Sequence, residues 1–120
     1  MDLGGRDSLG KEGEELACRY LEKQGYKIKE RNYRCRSGEI DIIAYHKKTL
    51  VFVEVRTKTN MLHGTPAESV NHVKRRKIVK AASYYLLNKG ISGVECRFDV
   101  VGISFMETEC KVELLRNAFV

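Results

Sequence analysis

The sequence has no tryptophan, a single proline at Pro66, and no C-x-x-C pair among its four cysteines. Cys18, Cys35, Cys96 and Cys110 lie far apart in the chain, which excludes a zinc knuckle or a dithiol redox motif and predicts reduced, mostly buried thiols. No apolar run approaches the roughly 18 residues that a membrane-crossing helix needs. The opening stretch MDLGGRDSLGKEGEE lacks the apolar centre of a signal peptide. These absences predict a cytoplasmic protein without a membrane partner. Repeats, low-complexity tracts and linkers are missing too, so residues 1–120 are expected to form a single domain.

What is present is a chain with 42% hydrophobic and 32% charged residues, a balance that suits a folded protein and argues against disorder. Lys and Arg outnumber Asp and Glu by 22 to 16, a net charge of +6. That excess favours an anionic partner such as nucleic acid without identifying one.

Ser8 to Gln24 reads as a first helix, with Leu16, Ala17, Tyr20 and Leu21 at helical spacing and Gly25 placed to end it. YKIKERNYR predicts a short outer strand running into a loop at Asn32. GEIDIIAYHKKTLVFVEVRTK then supplies two longer strands, and the polar, aperiodic stretch that follows predicts a mobile loop over residues 58–65. Thr65, Pro66 and Glu68 carry the signals of a helix start, and the helix is expected to reach Asn88. Its buried stripe is expected at Val70, Val73, Ile78, Ala81 and Tyr85, with Lys74, Arg75, Arg76 and Lys80 largely off it. VECRFDVVGIS and CKVELL read as two further strands. The order α-β-β-β-α-β-β predicts an α/β fold with a mixed central sheet, the second helix forming the crossover between strands.

Both strands of the long hairpin carry acids at positions where a sheet would take valine or isoleucine. Glu39, Asp41, Ile43 and Tyr45 share one face; Leu50, Phe52, Glu54, Arg56 and Lys58 share a face in the next strand. Each strand keeps a second, wholly aliphatic face for the core. With Lys47 and Lys48 as the turn, Asp41 falls opposite Glu54, and Glu39 opposite Arg56. Two carboxylates opposite one another destabilise a sheet unless a shared proton or a divalent cation compensates them. Oxygen ligands at a solvent-facing pair suit Mg²⁺ or Mn²⁺. The alternative is that the three acids are ordinary solvent-face residues of an amphipathic hairpin.

GEID, about a dozen residues, then FVEV and a basic residue: this spacing resembles the PD-(D/E)-x-K core of restriction-endonuclease-like nucleases. More of the chain resembles the YraN family of small bacterial proteins, related in fold to Holliday-junction resolvases. The resemblance rests on GKEGEELACRYLEKQGY, RNYRCRSGEIDIIA, LVFVEVRTK, AESVNHVKRRKIVKAASYYL and RFDVVGI, in that order. It implies a metal-dependent nuclease acting on DNA, with branched or repair structures as substrates and a homodimer as the assembly. It also implies Asp41 and Glu54 as metal ligands, Glu14 as a third from the first helix, and Glu39 as a supporting acid paired to Arg56.

The sequence departs from that core at Arg56, where the nucleases have lysine. Arginine does not readily release a proton, although its fork can stabilise charge on a phosphate. Lys58, one pleat along at about 7 Å, is the candidate replacement. The departure opens an alternative: a catalytically inactive nuclease fold that binds nucleic acid or a processing complex. Lys74, Arg75, Arg76, Lys77 and Lys80 are the candidate phosphate contacts on the second helix, Lys74 foremost. His46, His63 and His72 have no metal-ligand spacing and are expected at the surface, while Tyr84 and Tyr85 suit core and interface. Asp99 shares a strand face with Arg97, which predicts a structural ion pair.

Overall fold

The computed structural model of the chain describes residues 4–58 and 69–119, with side chains from residue 10 onward. Helix α1 (Gly4–Lys23) starts before Ser8 and carries through it, since an established helix gains a hydrogen bond for each residue added. Strands β1 (Tyr26–Cys35), β2 (Gly38–His46) and β3 (Thr49–Lys58) follow. Helix α2 (His72–Lys89) leads to β4 (Cys96–Phe105) and β5 (Cys110–Phe119). The α/β class and the order α-β-β-β-α-β-β are those expected from the sequence and from the nuclease resemblance.

The five strands neighbour one another in chain order, β1-β2-β3-β4-β5. All pairings are antiparallel except β3 with β4, which are parallel and joined through α2. The β2–β3 register is the one expected, His46 opposite Thr49 around Lys47 and Lys48. Strand β1 is longer than expected, because Asn32 adopts φ 54° within the strand rather than ending it. The expected loop over 58–65 lies outside the described residues, apart from Lys58, and so do Thr65, Pro66 and Glu68.

Each face of the sheet carries a buried core, so the central parts of both acid-bearing strands are covered on both sides. On one face α1 packs Ala17, Cys18 and Leu21 against Ile42, Ala44, Val51, Val53, Val101 and Ile103. On the other, α2 packs Ile78, Ala81, Ala82 and Tyr85 against Ile43, Leu50, Phe52, Val100 and Phe119. Helix α2 begins at His72, so no unbroken helix reaches back to Pro66 as expected: Asn71 is extended (φ −75°, ψ 173°) and its side chain caps the helix by accepting from Lys74 N, while Val70 is buried ahead of the helix. It ends at Gly90, whose left-handed φ of 66° lets its N–H reach back to Leu86 and Leu87.

Two further sequence expectations about α2 change. Val73 is 53% exposed and leaves the stripe. Lys74, one turn before Ile78, takes its place, because the helical phase that buries Ile78, Ala81 and Tyr85 turns residue 74 inward and residue 73 out. The cysteines are all free, but only Cys18 is buried; Cys96 and Cys110 are exposed at the first residues of β4 and β5. Tyr84 is half exposed while Tyr85 is core. No helix among the described residues is long and apolar enough to cross a membrane.

The expected Arg97–Asp99 pair is present and belongs to a larger buried network. Arg97 Nε lies 2.9 Å from Asp99 Oδ1, and Asp99 is fully buried. Tyr26 Oη donates to Asp99 Oδ2 at 2.7 Å, and Asn117 N donates to Oδ1 at 2.9 Å. Asn117 has φ 55° and sits where the β4–β5 register shifts, so Asp99 fastens that irregularity. His46 is half-buried rather than free at the surface, stacked on Tyr26 at 4.4 Å.

Candidate functional site

Strands β2 and β3 stay paired only as far as Ile42 and Val53. One residue beyond the last pair stands Asp41. Its Oδ2 accepts from Val55 N at 2.8 Å, so the side chain continues the ladder after the backbones part. Glu54 stands in the same gap with 3% of its surface exposed. The two acids are therefore brought together as the register implied, but not on an open solvent face: Glu54 is buried and Asp41 is partly buried.

Burial is the main cause that pushes the Asp41 carboxyl up, to about 8. The charge of Glu54 adds to it, then that of Glu14, and the bond that a protonated Asp41 can donate to Glu54 favours the protonated form; donation from Val55 N opposes them. Glu54 Oε2 faces Arg56 Nη1 at 3.3 Å and Lys74 Nζ at 3.5 Å. Glu54 Oε1 is buried without a hydrogen-bond partner. With both acids ionised it has no donor; a proton on Asp41 would give the pair one, and a cation would serve as well.

Arg56 is held at both ends of its fork. Nε donates to Ser69 Oγ at 3.1 Å and Nη2 to Ser69 O at 3.2 Å, while Nη1 turns to Glu54. It is not paired with Glu39, contrary to expectation. Glu39 lies beyond the point where β2 leaves β3, and its carboxylate instead sits 3.7 Å from Arg34 Nε of β1, its partner in that register. Lys58 ends β3 beside Ser104 of β4, and no ion pair joins it to Asp41 or Glu54 among the described residues.

Glu14 approaches from the other face on α1. Gly13 makes that approach possible: a β-carbon there would collide with Thr57 Cγ2 of β3, so only glycine lets the helix lie this close. Glu14 is near enough to raise the Asp41 carboxyl but does not complete a set. No group of three or more His, Cys, Asp or Glu side chains is placed to hold a metal among the described residues. The fit to a divalent cation rests on Asp41 and Glu54 alone: two oxygen donors, one of them a buried oxygen with an unmet acceptor. That donor set suits a hard ion such as Mg²⁺ or Mn²⁺, whose remaining positions go to water or phosphate.

The basic residues of α2 do not form one stripe. Lys74 turns to Glu54, and Lys77 packs its Cβ near Gly38 at the start of β2. Arg75, Arg76 and Lys80 line a cavity of about 430 Å³ together with His72, Val79 and Phe119. Arg75 is set in place there, Nε donating to Val70 O at 2.7 Å and the guanidinium lying 5.4 Å from the Phe119 ring. Sequence reasoning overlooked Ser69 and Gly13. A glycine within a helical period was a usable signal for close packing at Gly13; nothing in the sequence marked Ser69.

The sequence model of the uncharacterised protein family UPF0102 matches residues 13–103, a span that runs from Gly13 through both carboxylates to the end of the buried part of β4. A UPF0102 protein of Persephonella marina is 53% identical over 94 residues, covering 78% of this chain and 81% of that protein. One of Geobacter metallireducens is 48% identical over 112 residues (93% and 92%), and one of Syntrophus aciditrophicus 46% over 110 residues (92% and 87%). By the extent of the match and by these identities, the chain belongs to the UPF0102 family, the YraN family that its motifs resemble.

Proposed function

We propose that the protein is a metal-dependent nuclease that hydrolyses phosphodiester bonds in DNA at the gap between β2 and β3. The observation that carries this reading is the buried, unpartnered Oε1 of Glu54 beside Asp41. A buried acceptor without a donor is costly; a proton on Asp41 or a cation between the two acids meets it, and the cation is the occupant that supplies chemistry. Asp41 and Glu54 would hold Mg²⁺ or Mn²⁺, which when bound polarises a phosphodiester and lowers the pKa of an attacking water.

The protein's own groups supply the rest. Asp41 is aimed by Val55 N, which fixes one carboxylate oxygen and leaves the other to face Glu54. Arg56, locked by Ser69, keeps its charge at the site and stabilises an anionic phosphate without acting as a base. Arg75, Arg76 and Lys80 present cations along the flank of α2 to a phosphate backbone. With no base-reading module among the described residues, the strand would be selected by shape, and branched DNA is the substrate to try first.

One observation favours a second reading, a nuclease fold that binds DNA without cutting it. Arg56 spends its hydrogen bonds on Ser69 and Glu54, and no other residue among those described brings a lysine into the strand position of the nuclease core. The deciding experiment compares wild type, Asp41→Asn and Glu54→Gln for Mn²⁺ binding and for cleavage of four-way junction, forked and duplex DNA. Metal binding and cleavage lost together in both variants support the first reading. DNA binding without cleavage at any metal concentration supports the second. Cleavage that persists in pure Asp41→Asn protein overturns the assignment.

A further inference from the structure

Glu54 carries two cations on one oxygen, and they are held very differently. Arg56 is fastened by two further bonds to Ser69, whereas the Lys74 ammonium has Glu54 as its one partner among the described residues. The Lys74 side chain is also 42% exposed, so it has solvent to move into, while Arg56 is the less exposed of the two at 35%. A cation entering between Asp41 and the free Oε1 would sit on the same carboxylate as the ammonium and repel it. The tethered arginine would stay; the untethered lysine would leave.

We infer that Lys74 is an exchangeable counter-ion of the carboxylate pair, bound to Glu54 until a divalent cation replaces it and then free to take a phosphate of the nucleic acid. It is a positioning residue: it acts through Glu54 and competes with the metal, and so ties cation uptake to DNA binding. This rests on the metal site proposed above. By linkage, whatever the metal gains from losing its competitor the phosphate gains from the released ammonium.

The test is Mn²⁺ titration by calorimetry on the full chain at physiological salt, with wild type, Lys74→Met, Lys74→Gln, Lys74→Arg and Lys77→Met. Two neutral variants guard against a local packing effect, and Lys77→Met removes the same charge from the next turn of α2, where no ion pair joins it to Glu54 among the described residues. Lys74→Met and Lys74→Gln should bind Mn²⁺ at least about fivefold tighter than wild type, the lower end of usual coupling between sites. Lys74→Arg and Lys77→Met should keep the wild-type affinity. Saturating Mn²⁺ should tighten junction DNA binding by wild type more than by Lys74→Met.

Equal Mn²⁺ affinity in wild type and both neutral variants, with binding abolished by Asp41→Asn, overturns the exchange and leaves the metal site standing. Tightening by Lys77→Met equal to that by Lys74→Met overturns it as well, since net charge alone would then explain the gain. No Mn²⁺ binding in any of the proteins overturns both the exchange and the metal site on which it rests.

Discussion

Asp41 Oδ2 accepts a hydrogen bond from Val55 N at 2.8 Å, so a side chain completes the β2–β3 ladder where the backbones separate. The same carboxyl is pushed up to about 8 by burial and by Glu54. Its geometry is favourable and its charge is not, and the two can be separated by an isosteric change.

Asp41→Asn should stabilise the fold at alkaline pH. Unfolded, this carboxyl titrates near 3.8; folded, near 8, so between those values the folded chain holds a proton that the unfolded chain has released. Stability therefore falls as pH rises from about 4 to about 8. Asparagine can still accept from Val55 N and has no charge to bury. Urea unfolding should show the variant more stable than wild type by at least about 1 kcal/mol at pH 8, with the difference vanishing below pH 4.

Asp99→Asn should act in the opposite direction. Asp99 is as buried as any residue in the chain, but both its oxygens are met, and its charge is matched by Arg97. Removing the charge leaves the Arg97 guanidinium unbalanced in a half-buried place, which should cost about 3 kcal/mol in the same unfolding experiment. A neutral effect would mean that Arg97 finds water in its place.

Gly13→Ala should destabilise by about 1 to 3 kcal/mol, although alanine is the better helix former by about 1 kcal/mol, because its methyl meets Thr57 Cγ2. Thr57→Ser removes that methyl. The double variant should recover most of the loss in thermal unfolding, a coupling that independent sites would not show.

Arg56→Lys restores the residue of the nuclease core and gives up the fork that grips Ser69. Stability should fall by about 1 kcal/mol through the lost hydrogen bonds. Cleavage of junction DNA in Mn²⁺ should rise. A fall in cleavage with unchanged DNA binding would assign the anchored arginine, not lysine, to the reaction in this chain.

The strands were legible because their period is two and each is bounded by turn residues. That period assigned each acid to a face, and the Lys47–Lys48 turn set the register that brings Asp41 toward Glu54. Alternation cannot say whether a face meets water or a helix, so Glu54 was expected at a solvent face and is instead buried against Lys74 of α2. The α2 stripe was misread by one residue. Val73 and Lys74 both lie about a turn before Ile78, and hydrophobicity chooses valine, whereas the buried Glu54 draws in the lysine. Glu39 was misassigned for a related reason: counting pairs assumes that a ladder continues, and this one stops at Ile42. The Ser69 anchor is a contact between residues 13 apart across a stretch without period, and no pattern encodes it.

Neighbouring strands of this sheet repeat one arrangement, an acid and an arginine two residues apart: Glu54 with Arg56 on β3, Arg97 with Asp99 on β4. On β4 every acceptor is met, and the pair behaves as a strut with nothing to offer a newcomer. On β3 one oxygen is left over. The sheet thus holds a closed and an open version of the same pair side by side, and a single unmatched acceptor is what tells them apart.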